Sequence, residues 1–127
     1  MTKPYTFNAM TDTISLDRDL AASIKPQRAD PSVPTEGITF GVATMSENSP
    51  HSGERHPDGD EVLYLISGRV RVVFIDSAEE DIDVRPGDGL VVPKGMWHRV
   101  DIREPSQIVY LTPGPNNEYR PLADDAC

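Results

Sequence analysis

The sequence predicts an all-β domain, an antiparallel sandwich or barrel, and three observations predict it. From Ile38 onward, short runs rich in β-branched residues recur: ITFGVATM, EVLYLI, RVRVVFI, DIDV, GLVVP, HRVDI and QIVYLT. Between them stand the turn-forming breakers SG, PGDG, PKG and EPS. Twelve prolines and nine glycines fall between these runs, which suits many turns better than long helices. At 127 residues the chain holds one domain with one ordinary core.

Residues 1–35 read as an N-terminal arm. ISLDRDLAASI suits a short strand or one helical turn, and KPQRADPSVP is proline-broken and extended. Ile14, Leu16, Leu20 and Ile24 give this arm too many aliphatic groups for a free tail. It is expected to lie across the open sheet edge of a second copy, making a homodimer; folding back on its own barrel is the alternative. The barrel itself is expected over residues 36–113. Within it LISGRVRV reads as a tight hairpin, with Gly68 supplying the unusual backbone angles. Alternation along RVRVVFI puts Val70, Val72 and Phe74 on one face and Arg69 and Arg71 on the other. Residues 114–127, GPNNEYRPLADDAC, read as a short polar tail with little to bury.

A net charge of −9 repels phosphate backbones, so nucleic acid is not an expected partner. The densest acidic run, Glu79–Asp83, reads as a solvated turn. No apolar run approaches the roughly 20 residues of a spanning helix, so no membrane partner is expected. The N-terminus has no apolar segment resembling a signal peptide. The single cysteine, Cys127, forms no intrachain bridge and belongs to no thiolate metal motif. A soluble, cytoplasmic protein is the resulting expectation.

The chemistry concentrates around three histidines, and all three lie in two short turn-flanked segments, HSGERHPDGDEVLYLISG (His51–Gly68) and GDGLVVPKGMWH (Gly87–His98). Residues two apart on a strand face the same side, so Glu54 and His56 project together. Asp58, Gly59 and Asp60 are turn residues that reset the alternation before Glu61. If these strands line one barrel, Glu54, His56, Glu61 and His98 converge. Two imidazoles and one or two carboxylates suit a divalent transition metal: Fe, Mn, Ni or Zn. His51 follows Pro50 in a loop and reads first as a surface residue. Tyr64, Arg71, Trp97 and Tyr110 lie on or beside the predicted strands. Tyr64 and Tyr110 are candidate contacts to a bound molecule. Arg71 faces solvent if Val70 points inward, and clamps a substrate carboxylate if the faces are reversed. Trp97 and Met96 read as packing at the barrel rim or at a subunit contact.

The spacing of these residues resembles the cupin superfamily, whose first motif runs G, five residues, HxH, three or four residues, E, six residues, G. Here Glu54-Arg55-His56, four residues, Glu61, six residues and Gly68 fit it. The second motif runs G, five residues, PxG, two residues, H, three residues, N. Gly87, five residues, Pro93-Lys94-Gly95, two residues and His98 fit that one. The resemblance implies a small double-stranded β-barrel of jelly-roll type with the site between its inner faces. It also implies that His56, Glu61 and His98 are metal ligands. Two departures from the pattern matter: Glu54 stands where the first histidine is expected, and Ile102 where the final asparagine is. Glu54 is then a fourth ligand or a general base, or His51 swings in instead, or the site holds no metal. The family includes dioxygenases, isomerases, decarboxylases and lyases, so a metalloenzyme acting on a small polar molecule is one expectation. A non-catalytic module that binds or senses a sugar or carboxylate is the other.

Overall fold

The computed structural model describes residues 3–27 and 35–122; Cys127 and most of the proline-broken stretch lie outside them. Among the described residues, nine strands follow in chain order and no helix does: β1 Asp12–Asp17, β2 Ala22–Pro26, β3 Gly37–Met45, β4 Gly53–Arg55, β5 Glu61–Phe74, β6 Ile82–Val84, β7 Gly89–Val92, β8 His98–Pro113 and β9 Glu118–Arg120. All pairings are antiparallel. The architecture is the all-β barrel that the spacing of the turn residues predicts, in the jelly-roll form that the resemblance implies.

Strands β5 and β8 carry the fold, because they pair with each other from Val62↔Leu111 to Phe74↔His98. Their ladder is irregular between Leu65 and Val70, and there both strands change partners. One half of β5 bonds β7 and one half of β8 bonds β3, which in turn bonds the β1–β2 hairpin. The other half of β5 bonds β6, and the start of β8 bonds β4, which bonds β9. Two sheets therefore share one pair of bent strands, and the bend makes the barrel corner.

Gly68 sits at that corner with φ +89°. The expected hairpin at LISGRVRV is not formed; β5 runs straight through it as one 14-residue strand. A Cβ at position 68 would collide with the Ser106 hydroxyl and the Pro105 carbonyl of β8. Glycine is thus required by both the backbone angle and the close approach. Ser106 Oγ fills the gap left in the ladder, accepting from Arg69 N at 3.1 Å and donating to the Glu104 carbonyl at 2.6 Å. EPS, read as a breaker between two strands, is likewise the corner of one strand, β8.

The arm follows the alternative course and folds back on its own barrel. Within residues 1–35, β1 and β2 form a hairpin, and β1 pairs with β3 of its own chain. It covers the edge of β3 where a neighbouring copy was expected to, because backbone groups of an adjacent strand in the same chain satisfy that edge with less lost entropy. The stretch expected as a polar tail contains β9.

Leu63, Leu65, Val70, Val72, Phe74, Val84, Val92 and Ile108 form the core. Val72 is 0 % exposed and Leu65 1 %. Each such side chain contributes on the order of 1.5–3 kcal/mol by leaving water. The expected alternation holds on β5: Val70, Val72 and Phe74 point inward, and Arg69 is exposed. No helix among the described residues is long and apolar enough to cross a membrane.

Candidate metal centre

The inward face that builds the core also carries charge. On β5, Glu61 stands two residues before Leu63 and points the same way. His98 opens β8, opposite both Phe74 and Glu54. His56 follows β4, directly before the Pro57–Asp60 turn. Glu61, His56 and His98 are 3 %, 2 % and 0 % exposed, so three ionisable groups are sealed from water beside an aliphatic core. Burial of that kind is unfavourable unless the groups satisfy one another or a bound ion.

They converge as the sequence predicts. His98 Nε2 lies 3.0 Å from Glu61 Oε1 and 3.4 Å from Glu54 Oε1. His56 Nε2 lies 3.2 Å from Glu61 Oε2 and 3.7 Å from Glu54 Oε1. One ligand atom from each of Glu54, His56, Glu61 and His98 lies within 4.8 Å of the others. Donors held about 2.0–2.2 Å from one ion lie roughly 3–4.4 Å apart, so the four histidine–glutamate separations fit a single metal. His56 Nε2 supplies a second test. It is buried and has no hydrogen-bond partner, despite the nearby carboxylates. A buried nitrogen that faces two carboxylates with no aligned hydrogen bond fits the position of a metal ligand.

Neighbouring groups fix the orientation of each donor. His98 Nδ1 donates to the Met96 carbonyl at 3.0 Å, which leaves Nε2 facing the cluster. His56 Nδ1 donates to Asn117 Oδ1 at 2.9 Å with the same result. Thr112 Oγ1 donates to Glu61 Oε2 at 2.6 Å. Such partners hold the ring, and hence the metal-binding nitrogen, in one orientation.

Burial opposes the charge on every member, but the opposite charges around it prevail. For Glu54, the adjacent imidazoles of His56 and His98 overcome burial and lower the pKa to about 2. Burial would lower the imidazoles, yet the Glu54 and Glu61 carboxylates raise His56 to about 10 and His98 to about 9. Burial would raise Glu61, and the same two histidines hold it low instead. Without metal at neutral pH the cluster is therefore two imidazoliums against two carboxylates. A dication would take the place of two protons.

The cluster opens into a cavity of about 350 Å³. Its walls are apolar at Met45, Leu63, Val100 and Ile108 and hydroxylated at Thr39, Ser49, Tyr110 and Tyr119. Gly41, opposite Tyr110 on β3, makes room for that ring: a Cβ there would strike the phenol. His51 reaches the cavity as well, with Nε2 at 3.8 Å from Glu54 Oε2 and its ring tilted on Tyr119 at 5.4 Å between centroids.

Of the expected contacts to a bound molecule, only Tyr110 lines this cavity. Tyr64 is 44 % exposed, because alternation from inward-facing Glu61 turns every second side chain of β5 out. Arg71 is also on the outer face, where it forms a fork with Asp83 at 2.8 and 3.3 Å. Its carboxylate clamp exists, but the protein's own aspartate fills it. Two guanidiniums lie over the Trp97 ring, Arg55 at 5.1 Å and Arg120 at 4.3 Å. This fastens β9 to β4 and β8 at the rim. Asn117 and Tyr119 were not anticipated. A three-residue strand after a proline-rich turn carries too short an alternation to be read from sequence.

A small jelly roll with a buried two-histidine, two-glutamate cluster defines the class, a barrel protein with a potential metal site. The cupin domain profile matches residues 41–112, and the chain belongs to that family. Curated relatives include germin-like protein 3-7 of Oryza sativa subsp. japonica, 24 % identical over 98 residues, covering 74 % of this chain and 42 % of the relative. Germin-like protein subfamily 3 member 2 of Arabidopsis thaliana is 34 % identical over 70 residues, 54 % of this chain and 31 % of the relative. This chain thus spans less than half the length of these relatives. Among solved structures, a cupin-2 domain containing protein from Shewanella frigidimarina aligns with a TM-score of 0.53 at 23 % identity, covering 65 % of this chain and 76 % of that one. Oxalate decarboxylase from Bacillus subtilis aligns with a TM-score of 0.54 at 22 % identity, covering 67 % of this chain and 24 % of that one. At these identities the structures show the shared fold.

Proposed function

We propose that this cupin is a metalloenzyme, with one divalent transition metal (Fe, Mn, Ni or Zn) held by His56, Glu61, His98 and Glu54. The observation that carries this reading is the buried, unpartnered Nε2 of His56 facing Glu61 and Glu54. The ion would supply Lewis acidity toward an oxygen of a small polar substrate in the cavity. The protein's own groups do the rest. Asn117 and the Met96 carbonyl aim the imidazoles, and Thr112 orients Glu61. Glu54 turns Oε1 to the histidines and Oε2 toward His51, so one oxygen is available for ligation and the other for a substrate proton. The reaction is of dioxygenase, isomerase, lyase or decarboxylase type. Elemental analysis of protein purified without a histidine tag tests the reading. A stoichiometric transition metal supports it; no metal, even after reconstitution, leaves a binding module.

The protein acts as a homodimer in this reading, through the outer face of the larger sheet rather than the arm. Val62, Tyr64, Ile66 and Val91 are 38–54 % exposed there. Register continues the patch through Leu111 and Val109 to Phe40 and Val42. No charged side chain stands at these positions, in a chain that is 26 % charged. A charged partner would find nothing to pair with there. A second, identical flat face fits. Light scattering at micromolar concentration should give twice 14.0 kDa, and Tyr64→Glu should return the mass to 14.0 kDa.

A further inference from the structure

The departure at Glu54 changes the charge of the centre. The cupin pattern offers three histidines and one glutamate, so a bound dication leaves a net charge of +1. Here two of the four donors are carboxylates, and the same dication leaves zero. The other charged groups at the cavity do not restore the difference. The Arg99 guanidinium at the wall is taken up by Asp101, at 2.7 and 3.3 Å. His51 lies beside Glu54 Oε2 itself. The remaining polar wall is neutral, made of the hydroxyls of Thr39, Ser49, Tyr110 and Tyr119 and the Asn117 amide.

We infer that the molecule bound at this centre is uncharged and hydroxylated, of the polyol, sugar or hydroxycarbonyl class, and that Glu54 excludes small carboxylate dianions. This rests on the metal-site reading above and narrows its reaction types to dioxygenase, isomerase or lyase, since a decarboxylase takes a carboxylate. A dianion approaching the ion meets one unit of positive charge less than at a three-histidine site, and must also approach a second carboxylate. In a partly buried site one unit charge at about 4 Å shifts binding by far more than thermal energy, so even after screening the effect should exceed roughly tenfold in affinity. A neutral hydroxyl or carbonyl oxygen is not subject to that repulsion, and the wall offers it donors and acceptors. The cavity, about 350 Å³, lies at the small end for a ligand site and suits a molecule of few carbons.

The test loads the full chain with Mn(II), confirms the metal content, and reads the Mn(II) paramagnetic resonance spectrum during titration with oxalate. With the wild-type protein, millimolar oxalate should leave the spectrum unchanged. Glu54→Gln and Glu54→His, where they hold Mn(II), should gain oxalate affinity at least about tenfold. Oxalate bound by the wild type as tightly as by either variant would overturn the inference while leaving the metal reading intact. Failure of the wild type to load any metal would overturn both, and metal content alone distinguishes the two results. Neither readout depends on turnover.

Discussion

The two ends of the barrel interior use the same strands to opposite effect. At one end Leu65, Val70 and Val72 are packed together at 0–3 % exposure. At the other, equally sealed, stand His56, Glu61 and His98. β5 contributes to both, with Glu61 and Leu63 two residues apart on one face. The difference teaches what each end is for. The aliphatic end stabilises by burial alone. The polar end is costly to desolvate, and a well-packed apolar replacement is often as stable or more so. Its presence fits the proposed metal binding better than a role in folding.

The largest effect should come from breaking the polar end. His56→Ala and His98→Ala should each remove most bound metal while the barrel stays folded, measured by elemental analysis and by circular dichroism. Full metal content in both variants would mean the two imidazoles do not share a site. Leu65→Ala should do the converse. It should lower unfolding free energy by about 2–5 kcal/mol in denaturant titration and leave metal stoichiometry unchanged. If it empties the site instead, the two ends are not separable.

pH sharpens the same contrast, because only the polar end titrates. His56 and His98 are raised from 6.5 to about 10 and about 9 in the metal-free protein. Raised folded values mean that their contribution to stability is complete below about 6.5 and lost as pH rises through 9–10. Glu54 has the opposite sign: lowered from 4.5 to about 2, its contribution is present above 4.5 and lost as pH falls through 2. Metal-free protein should therefore lose stability progressively between pH 7 and 10.5, read as a falling midpoint in thermal melts. A flat profile over that range would show that the imidazoles are not paired with the carboxylates.

How far the sequence foretells this depends on the range of the signal. Alternation is local, so the inward set Val70, Val72 and Phe74 and the outward Arg69 are legible from seven residues. The four clustered donors are legible because motif spacing fixes which strand ends carry them. The corner at Gly68 is not, since a glycine with positive φ serves a hairpin and a bulge alike, and only the approach of Ser106 and Pro105 decides between them. Nor is the fate of the arm, which depends on whether β3 finds its partner within the chain. Deleting residues 1–35 removes that partner, and the deleted protein should aggregate, as light scattering would show.

β9 lies at the limit of legibility, and it supports the last and smallest prediction. Its three residues pair with β4, and the Asn117 that precedes it reaches across 61 positions of sequence to His56. Glu118 bonds Arg55, and Arg120 bonds Asp76 and stacks on Trp97, so the strand is held at the rim from both sides. Asn117→Ala should leave the strand in place and free only the ring of His56 to rotate. Metal affinity should then fall about 10–100-fold, the range for loss of a hydrogen bond behind a ligating histidine. Core stability should change little, since Asn117 lies outside the aliphatic cluster. Asn117→Asp keeps an acceptor for His56 Nδ1 and should recover most of the lost affinity. If Asn117→Ala instead lowers denaturant stability as much as Leu65→Ala does, its role is to hold β9 rather than to aim His56.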